Sequence, residues 1–501
     1  MASPLLTLVV GAFALLCFYL YIKYTYWKRY GVPTAKGWYP FVGHIWSIVM
    51  GKIGYTEMVR EIYDDHKDSS VVGIYKAMKP VLLIRDPNLV KSVLQSNFPS
   101  FSDNGNKVQP DADPLLIKNP FFTNGEEWKV GRKRLTYAFS NVRLRTLFTA
   151  VCVVCKKLTD FLDKRLKSTS KYEVEMKYLF SKFTGEVVAN AGLGIEGLCF
   201  EDKVHPNAFD QIGQTMFKPS LLVGFINQLI LLLPEINRFL KLSFVPKNVD
   251  KYFRKIVTEN LEIRRKESTP RNDFIQLMID LQKTGETLDI ESVAAHALSF
   301  YIDGYETSSI TLSFIGYQLA AHPDVQEKLR SEVKSTIEKH GGELTFDALK
   351  DMTYMDFVMN ESQRCYPALG YMSKLCTDEI ELEGSDGLRL RMKPGTEIVI
   401  SIDGLHRDEK YWPDPDTFDP NRFSDERKQT IEKMAFLPFG EGPRMCVGMR
   451  MALLQMKACL ATMMLNYKIE LSPRTQLPLK ISPSSFLSVA EGGIWVYISK
   501  L

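Results

Sequence analysis

Residues 439–448 read FGEGPRMCVG, and a helical pattern follows them directly from Met449. Glycines at this density let the backbone wrap closely around Cys446 and present N–H groups to its sulfur. The positive start of the following helix also favours an ionised sulfur. We therefore expect Cys446 to be a thiolate. The alternative is a structural cysteine in a glycine-rich turn, since buried cysteines are usually inert.

A sulfur held in this way is a candidate metal ligand. Thiolate sulfur binds haem iron as an axial ligand and pushes electron density onto it, which favours O–O bond cleavage. Cys446 is therefore a candidate ligand of haem iron.

The composition is that of an ordinary globular protein. The 501 residues are 45% hydrophobic and 24% charged, which excludes a disordered chain. Lys and Arg total 63 and Asp and Glu total 59, so the formal charge of +4 gives no argument for a nucleic-acid partner. No repeat, long charge run or Gly/Ser-rich linker divides the chain beyond Pro40, and we expect one large catalytic domain.

The eight cysteines are scattered, which is typical of reduced thiols in a cytosol-facing protein and not of a disulfide framework. Cys152 and Cys155 form a lone Cys-x-x-Cys in an apolar helical pattern, with no second pair and no histidine nearby. We expect both to pack in the core and not to bind a metal.

The amino terminus predicts a membrane anchor. The run Leu5–Ile22 carries no charge and is just long enough to cross a hydrocarbon layer about 30 Å thick. Lys23, Lys28 and Arg29 follow the run, so the positive-inside tendency places the large domain in the cytosol. A cleaved signal peptide usually has basic residues before its apolar run, and here only MASP precedes it.

These features divide the chain into three parts. Residues 1–30 are expected to form the anchor and its basic stop, and 31–43 a Pro/Gly-rich hinge. Residues 44–501 are expected to form a single haem-binding catalytic domain.

Helical periodicity dominates that domain. Short strands are predicted in 69–87, with a break at Lys79-Pro80, and in 395–402. The expected fold class is mainly α with minor β-sheets. The longest amphipathic helical patterns are Arg143–Leu166, Val249–Glu267, Ile290–Ala321 and Met449–Leu465.

The apolar stretch Phe217–Pro234 allows two interpretations. Pro219, Gly224 and Asn227 interrupt it too often for a second membrane span. It is either a core helix or a surface that dips into the membrane.

The quoted stretch resembles the haem-ligand signature of the cytochrome P-450 superfamily, Phe-Gly-x-Gly-x-Arg-x-Cys-x-Gly, and matches it without a gap. The resemblance extends along the whole chain. Glu361 and Arg364 are similar to the family's Glu-x-x-Arg, and Arg422 lies in a segment similar to the one that supplies a third charged partner. The resemblance implies the cytochrome P-450 fold and a cluster of these three that locks the proline loop under the haem site. An isolated Glu-x-x-Arg is more often a solvated salt bridge of little value.

The resemblance also implies a set of haem partners. Trp128 and Arg132 match the family's Trp-x-x-x-Arg, which binds a haem propionate, and Arg444 and Lys374 are similar to further propionate partners. Lys374 stands where arginine is common, which removes the bidentate fork but keeps the charge. The implied cofactor-binding residues are Cys446, Phe439, Gly440, Arg444, Trp128, Arg132 and Lys374, with Cys446 as the metal ligand.

Residues 303–308, DGYETS, resemble the family's oxygen-activating segment. Oxygen activation requires protons, and a hydroxyl beside a carboxylate can organise a water relay. The resemblance implies that Thr307 holds the relay and Glu306 feeds it. The alternative is that Thr307 bonds back within its own helix, a role that can coexist with the first.

Asp303 stands where the family usually has alanine, facing the haem and on the same helical face as Thr307. Its carboxylate is expected either to be hydrated beside the oxygen site or to have a pKa raised by desolvation. We assign it to the catalytic residues, with a role in substrate choice or proton supply. The alternatives are a carboxylate bonded to nearby backbone and an ester to a haem methyl group, as a glutamate forms at the matching position in the fatty-acid hydroxylase branch.

The resemblance implies a haem b monooxygenase of the endoplasmic reticulum membrane, which takes electrons from NADPH through a flavoprotein reductase. Cytochrome b5 is left open as a second donor. One atom of O2 is inserted into a lipophilic small molecule, such as a xenobiotic, plant toxin, insecticide or endogenous lipid or hormone. Residues 31–43 and 301–309 are most similar to insect detoxification members. The expected substrate walls are 102–122, 207–217, 295–307, 368–372 and 484–488.

Two other classes of function remain open at this stage. One is a haem-thiolate isomerase or dehydratase that needs no reductase, although Thr307 argues against it. The other is a catalytically silent haem protein that sequesters ligands.

Overall fold

The computed structural model describes residues 4–217, 220–266, 271, 273–283 and 289–501. Helices dominate, and the predicted fold class, mainly α with minor β-sheets, is confirmed. The helices are α1 Pro4–Tyr24, α2 Tyr26–Arg29, α3 Trp46–Val49, α4 Tyr55–Asp64, α5 Pro87–Lys91, α6 Gly125–Ala138, α7 Asn141–Leu166, α8 Met176–Val187, α9 Phe209–Phe217, α10 Leu221–Leu232, α11 Pro234–Leu240, α12 Lys247–Lys266, α13 Phe274–Lys283, α14 Ile290–Ala321, α15 Pro323–Lys339, α16 Phe346–Asp351, α17 Thr353–Cys365, α18 Ile402–Arg407 and α19 Met449–Asn466. The strands are β1 Val71–Lys76, β2 Lys79–Ile84, β3 Asp103–Asn104, β4 Tyr172–Glu175, β5 Tyr371–Leu375, β6 Ile380–Glu383, β7 Arg389–Met392, β8 Glu397–Ser401, β9 Tyr467–Leu471 and β10 Trp495–Lys500.

The long helix α14 has the bounds that its periodicity predicts. Asp289 caps its start by accepting a hydrogen bond from the backbone N–H of Ser292. It ends before His322, which is extended because Pro323 follows. The other long helices begin or end within two residues of their predicted bounds, except that Glu267 lies outside the described residues.

Three small sheets accompany the helices. Their strand orders are β1-β2-β8-β5-β3, β4-β10-β9 and β6-β7. The predicted break at Lys79-Pro80 is wrong, because the chain reverses at Ala77, which adopts a φ of 53°. Pro80 lies inside β2, paired with Tyr75, and a proline near the start of a strand removes only one ladder N–H.

Two clusters of apolar side chains form the core. The larger one joins α7, α8, α14, α17 and α19, and the smaller one lies around β1, β2, β8 and α4. Cys155 is buried in the larger cluster and Cys152 is half-buried against it, as predicted. Helix α14 is buried along most of its length, so it fixes the position of every element packed around it.

A buried ion cluster ties α17 to the proline-rich segment after α18. Arg364 Nε lies 2.8 Å from one carboxylate oxygen of Glu361, and Arg422 Nε lies 3.2 Å from the other. Glu361 and Arg364 are 0% exposed. Arg422 also donates to the backbone carbonyl oxygens of Pro413 and Asp414. The predicted three-residue cluster is confirmed, and it holds the chain that leads to the 439–448 loop.

The amino-terminal helix α1 is the one single helix among those described that is long and apolar enough to cross a membrane. Its most apolar 18 residues have a mean hydropathy of 2.4 and none of these is buried, whereas Tyr24 at its end is buried. Trp27 then donates from Nε1 to the carbonyl oxygen of Ile74, and the N–H of Ala35 donates to Gly73. The segment 31–43 therefore lies along β1, in contact with the first sheet.

The stretch Phe217–Pro234, apart from 218–219, which lie outside the described residues, has an exposed part and a buried part. Leu222 is 68% exposed and Phe225 is 41% exposed. The later residues Ile230–Leu232 are buried. One end of α10 therefore belongs to the core, and the other presents an apolar surface.

Candidate active site

The 439–448 loop surrounds the Cys446 sulfur. The backbone N–H of Cys446 donates to the carbonyl oxygen of Phe439 across 2.8 Å, which closes the loop. Gly440 and Gly442 adopt φ of 69° and 77°, the left-handed region that disfavours a side chain. A Cβ on Gly442 would also collide with the carbonyl oxygen of Leu94. The backbone conformation favours glycine at both positions, and at Gly442 the lack of space also requires it.

The sulfur faces an interior space. The side chains of Cys446 and Asp303 are accessible, yet both lie deep in the molecule and act on each other electrostatically. Burial raises the pKa of the Cys446 thiol to about 11, although the N–H groups of Gly448 and Met449 and the charge of Arg132 lower it. The ionised sulfur expected from the sequence is therefore only partly stabilised by the protein alone.

Two arginines lie on one side of this space, Arg132 on α6 and Arg444 in the loop itself. Arg132, on α6, donates to the carbonyl oxygen of Met445. The Arg444 guanidinium lies 4.4 Å from the centre of the Trp128 ring. Arg444 also donates to the carbonyl oxygens of Pro120 and Thr123, each across 3.0 Å.

Lys374 is the third cation of this group. It lies on β5, where its Nζ donates to Asn104 Oδ1 across 2.8 Å. Burial and, to a smaller extent, the charge of Arg444 lower the pKa of Lys374 to about 7. The positive charges of Lys374 and Arg444 thus lie close together, with Asp103 as the carboxylate that acts on both from outside ion-pair distance.

The donor set fits a haem. In the described part of the chain, Arg132, Lys374 and Arg444 form no ion pair with a carboxylate, although all three are largely removed from solvent. Buried cations are costly unless paired, so two propionates are a matching partner. The accessible sulfur of Cys446 faces the same space, and a thiolate there would be the group that coordinates the iron.

Residues 303–308 are divided between two faces of α14. Thr307 Oγ1 donates to the carbonyl oxygen of Asp303, the back-bond considered above. Glu306 lies 2.9 Å from Lys177 Nζ and is buried. Burial raises the pKa of the Glu306 carboxyl, and Lys177 lowers it. The structure therefore brings Thr307 and Asp303 together but engages Glu306 with a different helix.

Asp303 has a side-chain partner and not a backbone one. Asn119 Nδ2 lies 3.1 Å from Asp303 Oδ2 and 3.3 Å from Oδ1. Burial raises the pKa of Asp303 to about 6, and the hydrogen bond from Asn119 lowers it. The expectation of a pKa raised by desolvation agrees with this geometry.

Sequence reasoning missed Asn119 and Lys177. Asn119-Pro120 reads as an ordinary turn, and Lys177 is one basic residue among many. Their partners Asp303 and Glu306 lie 184 and 129 residues away. No local pattern points to contacts of that range.

A mainly helical chain with an interior cysteine and a basic cluster beside it defines a haem-thiolate protein. A family model described as Cytochrome P450 matches residues 33–496. Cytochrome P450 6j1 of Blattella germanica is 33% identical over 492 residues, which cover 97% of this chain and 96% of the relative. Cytochrome P450 6a2 of Drosophila melanogaster is 30% identical, with 99% of both chains covered. Cytochrome P450 9e2 of Blattella germanica is 31% identical, with 95% and 93% covered.

The chain belongs to the cytochrome P450 family, and its relatives here are insect proteins. It is a monooxygenase oxidoreductase with haem as its cofactor. The family generally uses a redox partner and lipophilic substrates, and α1 could serve as a membrane anchor.

Gly442 and Gly448 provide a matched test of the loop geometry. Gly442→Ala should lower the free energy of unfolding by about 2 kcal/mol or more, because it adds left-handed strain to a collision with Leu94. Gly448→Ala should change it little, since Gly448 has a φ of −86° and open space at the Cβ position. Thermal unfolding measures the stability of the two variants, and haem content per chain shows whether the loop still holds the cofactor. Equal behaviour of the two variants would contradict this account of the loop.

Proposed function

We propose that the protein inserts one atom of O2 into a lipophilic small molecule, with electrons from NADPH delivered by a flavoprotein reductase. The observation that supports this most is the 439–448 loop, whose cysteine faces α14 beside a basic cluster without carboxylate contacts in the described chain. The proposed substrate is a xenobiotic, plant toxin, insecticide or endogenous lipid or hormone, in keeping with the lipophilic substrates of the family.

The proposed cofactor is haem b, with Cys446 as the axial ligand of its iron. When bound, the haem supplies the iron at which oxygen is activated. Arg132, Arg444 and Lys374 neutralise the propionates, and Trp128 orients Arg444 by stacking against its guanidinium. The loop residues that hold the sulfur in position are Phe439 and Gly440.

Thr307, Asp303 and Glu306 are the proposed proton-handling residues. The Thr307 hydroxyl proton is engaged with the Asp303 carbonyl, so its oxygen can accept a further hydrogen bond from the interior space. Asp303, with a pKa of about 6, exchanges a proton near neutral pH. Glu306 can feed a proton to this pair only when its carboxylate leaves Lys177.

Exposed cations near the sulfur support docking of an acidic electron donor. Helix α6, whose Arg132 contacts the loop, also presents Lys133 to solvent, together with Lys129, which is paired with the exposed Glu126 across 3.1 Å. Arg450 is exposed at the start of α19, just beyond Cys446. A positive face favours encounter with an acidic partner, so we assign it to the reductase and to cytochrome b5 as a second donor.

We place the protein in the endoplasmic reticulum membrane as a single-pass protein with its catalytic domain in the cytosol. Residues 1–30 form the proposed anchor, 31–43 the connection to it, and 44–501 the catalytic domain. Helix α1, whose most apolar 18 residues are all unburied, supports the anchor. Leu222, Phe225 and Phe239, the last 85% exposed, support a second contact with the membrane surface.

Thr307→Ala should lower the product formed per NADPH by about tenfold or more, because it removes the hydroxyl that handles protons while leaving the haem partners in place. Thr311→Ala is the matched control, since Thr311 makes the same back-bond, across 2.9 Å, to the Thr307 carbonyl. Product, NADPH and hydrogen peroxide are measured with added reductase. The substrate is one that shifts the haem spectrum in a panel of lipids, steroids and plant toxins.

Equal product yields for the two variants would refute the role of Thr307. If the unaltered protein consumes no NADPH with reductase and such a substrate, the proposed function itself fails. A reductase-independent isomerase or a ligand-sequestering protein would then replace it.

Removing residues 1–23 should leave the protein attached peripherally to phosphatidylcholine vesicles, because the exposed apolar side chains of α10 and α11 remain. This truncation retains Tyr24 and Trp27, which pack on the first sheet. Adding Leu222→Ser, Phe225→Ser and Phe239→Ser should abolish the attachment. Vesicle flotation measures both proteins, and a truncated protein that stays free at low and high salt alike contradicts the second contact.

A further inference from the structure

The loop 119–124 connects α14 to the basic cluster. Its first residue, Asn119, is buried and donates to Asp303 of α14. Its last residue, Asn124, accepts from Arg444 across 3.2 Å and precedes α6. The loop therefore has one end at the oxygen side of the site and the other at the cations.

A continuous series of hydrogen bonds runs through this loop to Lys374. Asn119 Oδ1 accepts from the N–H of Phe121 across 2.7 Å. The Phe121 carbonyl oxygen accepts from Asn104 Nδ2, and Asn104 Oδ1 accepts from Lys374 Nζ, each across 2.8 Å. Asn104 is buried, so both of its polar ends are committed to this series.

A second branch reaches Arg444 through the backbone of the same loop. The N–H groups of Phe122 and Thr123 donate to the Asn119 carbonyl oxygen across 2.8 and 3.0 Å, which folds the loop into a tight turn. That turn aims the carbonyl oxygens of Pro120 and Thr123 at Arg444. The loop thus supplies two of the backbone carbonyl oxygens that hold the Arg444 guanidinium, and Ser102 supplies another.

We propose that Asn119 is a positioning residue that links the Asp303 carboxylate to the propionate-binding cations Lys374 and Arg444. This inference rests on the proposed roles of those two cations. When Asn119 is bonded to Asp303, the carbonyl oxygens of the loop hold Arg444 directly and hold Lys374 through Asn104. When that bond is lost, the loop relaxes and the cations move away from the propionates.

Two properties of the bound haem should respond to the link. Cations that leave the propionates weaken haem retention, so haem dissociates faster. Less positive charge beside the haem favours the ferric form, so the midpoint potential becomes more negative. A residue that only stabilises the fold would not shift the potential.

Exchanging the side chains of Asn119 and Asp303 tests the link between them. Asn119→Asp keeps the acceptor for the Phe121 N–H but replaces the donor with a second carboxylate opposite Asp303. It should increase the haem dissociation rate about tenfold, the value of a hydrogen bond to a charged group, and lower the midpoint potential. In the double variant with Asp303→Asn, the side chain at 303 donates and the side chain at 119 accepts. The haem dissociation rate and the midpoint potential should then return toward those of the unaltered protein.

Thr123→Val is the matched control in the same loop. It keeps the carbonyl oxygen that Arg444 uses and removes a hydroxyl that is buried without a hydrogen-bond partner in the described chain. It should leave the dissociation rate and the potential unchanged. Unchanged values for Asn119→Asp, or a folded double variant that shows no recovery, would overturn the proposal.

Lys374→Ala and Arg444→Ala separate this proposal from the proposed haem site. If both variants retain haem and potential, the assignment of the propionate partners is wrong. If both lose haem faster and Asn119→Asp does not, the cation assignment stands and the positioning role of Asn119 is refuted.

Discussion

Desolvation of the Cys446 sulfur is the constraint around which the site is arranged. Burial raises the pKa of this thiol to about 11, a direction opposite to the one that a metal ligand needs. The N–H groups at the start of α19 and the charge of Arg132 offset part of that effect. Coordination to the iron of the proposed haem would supply the rest, because a metal-bound thiol is deprotonated outright. The thiolate form of Cys446 is therefore stabilised partly by the protein and partly by the proposed haem.

The rest of the fold keeps that sulfur and its surroundings in position. Helix α14 forms one wall, and the glycine-dependent loop forms the other. The Glu361 cluster fixes the segment that enters the loop, and every charged group in it has hydrogen-bond partners. A buried ion cluster of this kind contributes position more than net stability, because desolvation of the charges offsets much of their attraction.

Local sequence patterns were sufficient for the fold class and for the long helices. The bounds of α14 follow from its periodicity, its Asp289 cap and Pro323, all of which act over a few residues. The turn at Ala77 was missed because an alanine with positive φ has no local signature. Glu306 and Thr307 are neighbours in sequence, which led to the expectation that they act together, but their side chains have different partners. Neighbouring residues on a helix project about 100° apart, so Glu306 meets Lys177 while Thr307 faces Asp303.

The central claim is that Cys446 is the ligand of the haem iron, and the spectrum of the reduced, CO-bound protein tests it most directly. Cys446→Ala should lose the thiolate-type spectrum, because no other group in this loop donates comparable charge. Cys152→Ala, which changes a half-buried cysteine of the core, should keep it. A thiolate-type spectrum that survives in Cys446→Ala would contradict the account.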